Sequence, residues 1–458
     1  MKINKAPRPK PWTFLMTLLR SKASAWKFRR VAHPKKSEHP PEQKTNSRFL
    51  PFLRRMDKKW AAILFLCFLF TGLFFRYLNR APKRHFCDFR VYHATAEKFL
   101  NGANIYERNK ESVTPYKYSP TFAFLFSFLG WFSIKTSSLV FFSLNFIFLL
   151  VLFRYSQKII DPELSFNKCF WLFFWVFAPI SRFAFQVLDS GQVNIIMAGL
   201  VVLGLYFADR DNNIAAGMLL SLSIFFKYMP ALLIPYFLFK KKFRLLGWLF
   251  LFGIAFMVLP LIYTGAEKYL AYTKDWLPSI VSTSLDHGSL IDYKNQSLYS
   301  IILRFFCEES PYKIKLMNLT FQSTMRLSTI ACFVLYLFAL YPLCKNRKEQ
   351  LLDTAMLLIC MALFNPNAWM INFVSLTFAY MLILYLFIQN KKLSALIIFV
   401  IAFLLGSFFG ESVVGNDLEN FMEEASSVTL SSLVLFFYLF YLKINQFIEL
   451  QREKLKSS

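Results

Sequence analysis

Three ionisable residues pose the chemical question in this chain: Asp88, at the head of HFCDFRVYHATAEKFLNGANIY (residues 85–106), and two cations in apolar surroundings, Lys227 and Arg304. A carboxylate at such a place can take a proton from a hydroxyl as a general base. Lys227 precedes Tyr228-Met229-Pro230, where a helix should break, and a cation at a helix break is a natural anion site. Arg304 closes the amphipathic segment NQSLYSIILRFF, which Asn295, Gln296 and Ser297 open. Each also has a plain structural reading. Asp88 can cap the helix that follows, stabilising it by about 1 kcal/mol, or be a surface charge. Spacing alone favours the cap, although the capping-box position three residues on is Val91. Lys227, and Arg182 in another apolar run, can snorkel to the interface, and Arg304 can be a solvated charge.

The elements that must position these residues are membrane helices. Of 458 residues 56% are hydrophobic, 56 of them Phe, and the apolar residues lie in runs of about twenty. The 17% that are charged fall between those runs, as charge must avoid hydrocarbon. A soluble domain is excluded. The expected fold is an all-α integral membrane protein, a polytopic helical bundle of about 11–13 membrane segments with amphipathic helices in the outer loops. Residues 1–59 hold 17 Lys or Arg against Glu38, Glu42 and Asp57, and so supply +14 of the net +26. They read as a basic cytoplasmic extension in which WTFLMTLLRSKASAWKFRR forms an interfacial helix, or as a disordered basic tail. No nucleic-acid motif accompanies that charge, and no signal peptide is expected.

The membrane domain is expected over 60–446, with a cytoplasmic tail at 447–458. Its first span, 60–78, follows RRMDKK, which places its start inside and Asp88 in a first outer loop at 79–118. A second large outer loop covers 264–319, and the acidic loop GESVVGNDLENFMEEASS also falls outside. Lysine and arginine clusters at 154–158, 240–244, 345–348 and 391–392 mark the cytoplasmic side. Residues 119–134 are short for a crossing, and 214–239 is interrupted by FFKYMP and Pro235, so both read as half-helices or re-entrant pieces. The seven cysteines imply no disulfide framework. His85, His93 and His287 with Asp286 and Asp292 fit no standard metal spacing, so neither metal nor other cofactor is expected.

After Asp88, the apolar positions Phe89, Tyr92, Ala96 and Phe99 recur at three and four, and Asn101-Gly102 gives a stop, so a helix of about three turns should lie on the membrane. This segment, with YKYSPTFAFLFSFLGWF after it, resembles the head of the GT-C membrane glycosyltransferases. The likeness is to the bacterial branch of polyprenyl-phosphomannose-dependent α-mannosyltransferases and related arabinofuranosyltransferases. GQVNIIMAGLVVLGLYF, the stretch around FFKYMP, NQSLYSIILRFF and NPNAW follow in that family's order, over about residues 85–385.

The resemblance implies that Asp88 is the catalytic carboxylate and that Gly102, Tyr106, Tyr118 and Pro120 frame the outer helices. It implies that Gln192, Asn194, Lys227, Asn295, Gln296, Ser297 and Arg304 line a cavity for lipid donor and acceptor. Tyr92, Tyr106 and Tyr118 could stack on sugar or simply anchor the interface. Near Trp369 the chain departs from the pattern: relatives often carry a histidine within three residues, and here the residue is Asn372, which hydrogen-bonds but carries no charge.

The activity implied is inverting transfer of mannose or another hexose or pentose from a polyprenyl-phosphate donor, on the outer face of the membrane. The acceptor would be a glycolipid, an envelope glycan or a protein. A transporter or flippase of lipid-linked sugar is the alternative, since broken helices with buried cations also suit substrate pathways. Lipids, the donor and the acceptor are the expected partners, and nucleic acid is not.

Overall fold

Long apolar segments can satisfy their backbone in a bilayer only as helices or closed barrels, and this chain forms helices. The computed structural model describes residues 58–80, 82–83, 87–107, 116–284, 286–341 and 347–457. The basic segment 1–57, with the interfacial helix expected in it, lies outside the described residues, as does His85. Among the described residues the only β pairing is one isolated bridge, Cys307 with Leu319.

The chain begins with α1 (Lys58–Arg80) and α2 (Cys87–Leu100). Then come α3 (Pro120–Phe126) with a 3-10 turn at Ser127–Trp131, α4 (Ile134–Ile160), α5 (Phe166–Ser190), α6 (Asn194–Asp209) and α7 (Asn213–Phe226). A 3-10 turn at Met229–Leu232 leads into α8 (Leu233–Phe239), followed by α9 (Phe243–Val258), α10 (Leu261–Thr264), α11 (Ala266–Ser284), α12 (His287–Ile291) and α13 (Leu298–Phe306). The last part is α14 (Phe321–Leu340), α15 (Arg347–Leu363), α16 (Thr377–Asn390) after a 3-10 stretch at Met370–Leu376, α17 (Leu393–Phe403), α18 (Glu411–Val414), α19 (Asn416–Glu424) and α20 (Ser427–Ser457). The expected C-terminal tail is therefore the continuation of α20.

Among the described residues six helical stretches are long and apolar enough to cross a membrane, including Ile134–Ile160, Phe321–Leu340 and Ser427–Glu453. Large apolar side chains on the bundle's flank point outward, including Phe68, Ile254, Ile330 and Phe333, as lipid-facing residues do. Inside, close approach does what hydrophobic burial cannot do in lipid. A Cβ at Gly199 would meet Phe148 of α4 at 2.8 Å, and one at Gly217 would meet the backbone of Leu249 in α9 at 2.7 Å. The small residues thus let α4, α6, α7 and α9 pack side by side.

The helices alternate in direction, so polar contacts collect at two ends of the bundle. At one end Arg76 and Arg80 of α1 reach Asp189, at the close of α5. At the other, Lys240 and Lys443 hold Asp353, and Lys242 holds Asp211. The stretch 213–239 is broken, as its sequence suggests. α7 rises from the Lys242 end, stops at Lys227, and α8 returns to Lys240. At about 1.5 Å per residue its legs, of 14 residues in α7 and 7 in α8, are each shorter than a bilayer core of about 30 Å.

Candidate active site

α2 is the element that sets Asp88. Its apolar positions Phe89, Tyr92, Ala96 and Phe99 are all buried, as the spacing requires, but so are His93 and Thr95. The reason is that α3 and its 3-10 turn, α4 and α5 all pack against α2, so the helix is wedged into the bundle rather than laid on a membrane surface. His93 confirms the wedge: its Nε2 lies 2.9 Å from the Phe132 carbonyl oxygen beyond the 3-10 turn. Asp88 is the second residue of α2 and half-buried. In that first turn the helix dipole favours a carboxylate, so the capping role and a chemical one are compatible.

The turn between α5 and α6 fixes the other side of Asp88. Asp189 is clasped by Arg76, at 3.2 Å from Nε and 2.7 Å from Nη2. Gly191 then turns with φ 67°, and a Cβ there would lie 2.6 Å from the Cβ of Phe89. That contact brings Gln192 beside α2. The Tyr92 and Tyr118 hydroxyls lie 2.7 Å apart, and both reach Gln192 Oε1, at 2.8 and 3.1 Å. Burial first, then Tyr118 and Asp88, push the Tyr92 hydroxyl well above the ordinary phenol range, so it stays a donor and not a base.

A third stretch of chain, Tyr116-Lys117-Tyr118-Ser119, packs beside this cluster. Ser119 Oγ donates to the Phe225 carbonyl at 2.8 Å, which ties this strand to the end of α7 two residues before Lys227. Tyr106 donates to the Tyr118 carbonyl, and Ser279 of α11 to the Tyr116 carbonyl, so this stretch is held by them as well. Lys117 keeps exposed surface, yet the dense surroundings pull its ammonium below the ordinary lysine range, with Asp88 opposing. The charges that bear on Lys227 are Lys117 and Asp88. Asp88, Lys117 and Lys227 thus act on one another electrostatically at this end of the bundle.

The remaining candidates divide. Asn194 donates to Asn372 Oδ1 at 2.9 Å, Asn365 approaches the same oxygen at 3.4 Å, and Tyr228, next to Lys227, reaches Asn365 at 3.3 Å. Asn372 is therefore part of a neutral amide chain running from α6 to the Lys227 break. Asn295, Gln296 and Arg304 are fully buried, and the first two bond the 366–368 segment that follows Asn365. Asn295 donates to the Ser289 and Pro366 carbonyls, Gln296 to those of Tyr293 and Glu423, and Arg304 to those of Asp292 and Asn295 and to Ser426 Oγ. In a dry interior these polar groups are committed to stitching loops, so they brace the site from behind.

The Tyr92 ring is 2% exposed and packed by Phe122 and Phe141, so its hydroxyl, not its face, is its contribution. Tyr106 spends its hydroxyl on the Tyr118 carbonyl. Arg182 is no snorkelling side chain: its Nη2 holds Glu419 at 2.6 Å and Glu423 at 2.7 Å, which pins the acidic loop. Sequence reading passed over Lys117, because nothing in YKYSP separates that lysine from other loop charges, and it passed over the Arg76–Asp189 pair.

This all-α integral membrane protein thus gathers Asp88, Tyr92, Tyr118 and Gln192 at one end of its bundle. The chain belongs to glycosyltransferase family 87, a family of the GT-C type, which it matches over residues 116–371. That stretch holds Lys117, Tyr118, Gln192, Asn194 and Lys227 and begins after Asp88, which the fold alone brings to them. No curated protein matches the chain.

Proposed function

We propose that this glycosyltransferase inverts the anomeric centre of a sugar as it moves it from a polyprenyl-phosphate donor to a hydroxyl acceptor. The acceptor is a glycolipid, an envelope glycan or a protein. The observation that carries the reading is the hydrogen-bonded cluster of Tyr92, Tyr118 and Gln192 one turn along α2 from Asp88, with the Ser119 to Phe225 bond tying the same stretch of chain to the end of α7 beside Lys227. A polyprenyl monophosphate is already a good leaving group, so one base suffices. The acceptor oxygen bonds to the anomeric carbon from the face opposite the phosphate as its proton passes to the Asp88 carboxylate. A base so placed contributes roughly 10²- to 10⁴-fold. Lys227 holds the phosphate and stabilises the charge that gathers on it. Gln192 Oε1 accepts from the Tyr92 and Tyr118 hydroxyls and so fixes the wall of the site on the acceptor side.

The sidedness we propose follows from charge. Lys240, Lys242 and Lys391 lie at the end of the bundle opposite Asp88, and clustered lysines favour the cytoplasm. The Asp88 end of the bundle then lies at the extracytoplasmic face of the cell membrane, and the N-terminus is cytoplasmic. The test is a membrane assay with radiolabelled polyprenyl-phosphate sugars and extracted envelope acceptors. Wild type transfers label, and Asp88→Asn and Lys227→Ala do not. Undiminished transfer by Asp88→Asn would overturn the base assignment, and labelling of a cysteine at position 88 only from the cytoplasm would overturn the sidedness.

A further inference from the structure

The lysine-rich end of the bundle, opposite Asp88, holds a cavity of about 130 Å³. Four helices wall it: α4 contributes Ile159, α6 Asp209, α8 Tyr236 and Lys240, and α15 Gln350, while Lys242 joins them from the turn between α8 and α9. At about 30 Å³ per water, the space admits a small polar group. Tyr236 asks for one. It is 3% exposed, and its hydroxyl has no hydrogen-bond partner among the described residues. Leaving such a donor unpaired in a protein interior is costly, and the strongest partner for it is a charged oxygen.

The charges around the cavity favour an anion. Lys240 Nζ lies 3.2 Å from Asp353, but Lys443 shares that buried carboxylate at 2.7 Å. Lys242 Nζ lies 2.6 Å from Asp211, which is 77% exposed, and an ion pair so open to water is weak. Asp209, the acid in the wall, is already met by Arg210 at 3.7 Å and by Gln350 Nε2 at 3.5 Å. Asp353 and Glu349 are fully buried and do not line the space. The depth is that of a lipid headgroup. Next to Ile159 and Asp209, Lys158 sits over the Tyr155 and Tyr206 rings, and Arg210 lies 3.7 Å from the Tyr206 centroid. Cations and tyrosines at the ends of apolar helices mark the layer where hydrocarbon gives way to headgroups.

We propose that this cavity binds the phosphate of an anionic phospholipid headgroup through Lys240, Lys242 and the Tyr236 hydroxyl. Basic pockets between membrane helices hold such headgroups elsewhere. The site is separate from the Asp88 cluster and depends neither on the sugar moved nor on its carrier. A phosphate held there ties α8, the returning leg of the broken stretch, to α6 and α15.

The experiment uses full-length protein, delipidated in a neutral detergent, and three probes: phosphatidylglycerol, diacylglycerol with the same acyl chains, and inorganic phosphate. Binding is read by native mass spectrometry and by the melting temperature, which a ligand of the folded state raises. Wild type is expected to take up one phosphatidylglycerol saturably and to melt later with it, and diacylglycerol should do neither. Tyr236→Phe should weaken phosphatidylglycerol about tenfold or more, the scale of a hydrogen bond to a charged group. Without lipid the same variant should melt no earlier than wild type, since it deletes an unpaired hydroxyl; a merely structural tyrosine would give the reverse pattern. Lys242→Gln should also lose about tenfold, and Lys391→Gln, an exposed lysine outside the cavity, should lose nothing. Unchanged affinity in Tyr236→Phe, equal losses in Lys242→Gln and Lys391→Gln, or equal binding of diacylglycerol overturns the site. Saturation by inorganic phosphate as tightly as by the lipid keeps the phosphate site and overturns the lipid as its source.

Discussion

Gly191→Ala probes the positioning of Asp88 without touching any group that does chemistry. The new Cβ would lie 2.6 Å from the Cβ of Phe89, roughly an ångström inside ordinary contact. Phe89 cannot yield by a rotamer change, because the atom struck is its Cβ, fixed to the backbone of α2. Its ring is 1% exposed and lies 5.3 Å from that of Phe141. Either the first turn of α2 moves, carrying Asp88, or the 189–194 turn moves, carrying Gln192. Alanine at φ 67° costs about 1–2 kcal/mol in the left-handed region, and overpacking adds about 1–3 kcal/mol. An ångström of misplacement at a reacting centre costs about a hundredfold in rate.

The control is Gly265→Ala, at φ 77° with nothing within 4 Å of its Cβ, where the backbone penalty of about 1–3 kcal/mol stands alone. Both variants should melt earlier than wild type in detergent. Only Gly191→Ala should lose about a hundredfold in transfer at saturating donor. Transfer within threefold of wild type in Gly191→Ala would refute the idea that this contact sets the distance between Asp88 and Gln192. Equal losses in both variants would reduce it to stability.

Other expectations are more compact. Asp88→Asn should lower the turnover number roughly 10²- to 10⁴-fold with little change in donor binding, measured in single-turnover assays. Gln192→Ala, which frees the Tyr92 and Tyr118 hydroxyls, should raise the acceptor KM by more than tenfold, and an unchanged KM would remove those hydroxyls from acceptor binding. Two carboxylates share the Arg182 guanidinium, and burial, with Glu419's charge adding to it, pushes Glu423 up to about 7. A carboxyl whose folded value lies above its unfolded one binds more protons in the native state, so stability should fall as pH rises from about 4.5 to 7 and then level off. The melting temperature should therefore climb on acidification from pH 8 to 6, and Glu423→Gln should flatten that slope. EDTA should leave transfer within twofold, and activity lost to EDTA and restored by a divalent cation would bring a metal into the site.

Much of this protein was legible in its sequence because hydrocarbon leaves a chain few options. Apolar runs of about twenty residues must be helices, so 169–187, 393–410 and 429–446 sit close to the observed α5, α17 with its extension, and α20. FFKYMP announced the break after α7, since a proline cannot continue the hydrogen-bond ladder. The three-and-four spacing of Phe89, Tyr92, Ala96 and Phe99 marked the buried side of α2, and Asp88 stood out as a carboxylate at a helix start.

What the sequence could not tell was which polar residues share a space, since that depends on contacts between residues far apart in the chain. Arg304 and Lys227 look alike as cations in apolar surroundings. Tertiary structure sends the first to the backs of the 292–304 and 426 loops and the second to Asp88. Lys117 looks like any loop charge until Ser119 bonds the Phe225 carbonyl, 106 residues on, and brings its segment to the end of α7. Local pattern encodes helices because their bonds are local. The site is encoded in packing, through Gly191 against Phe89, Arg76 on Asp189 and Gln192 on two tyrosines, and only the folded chain decides it.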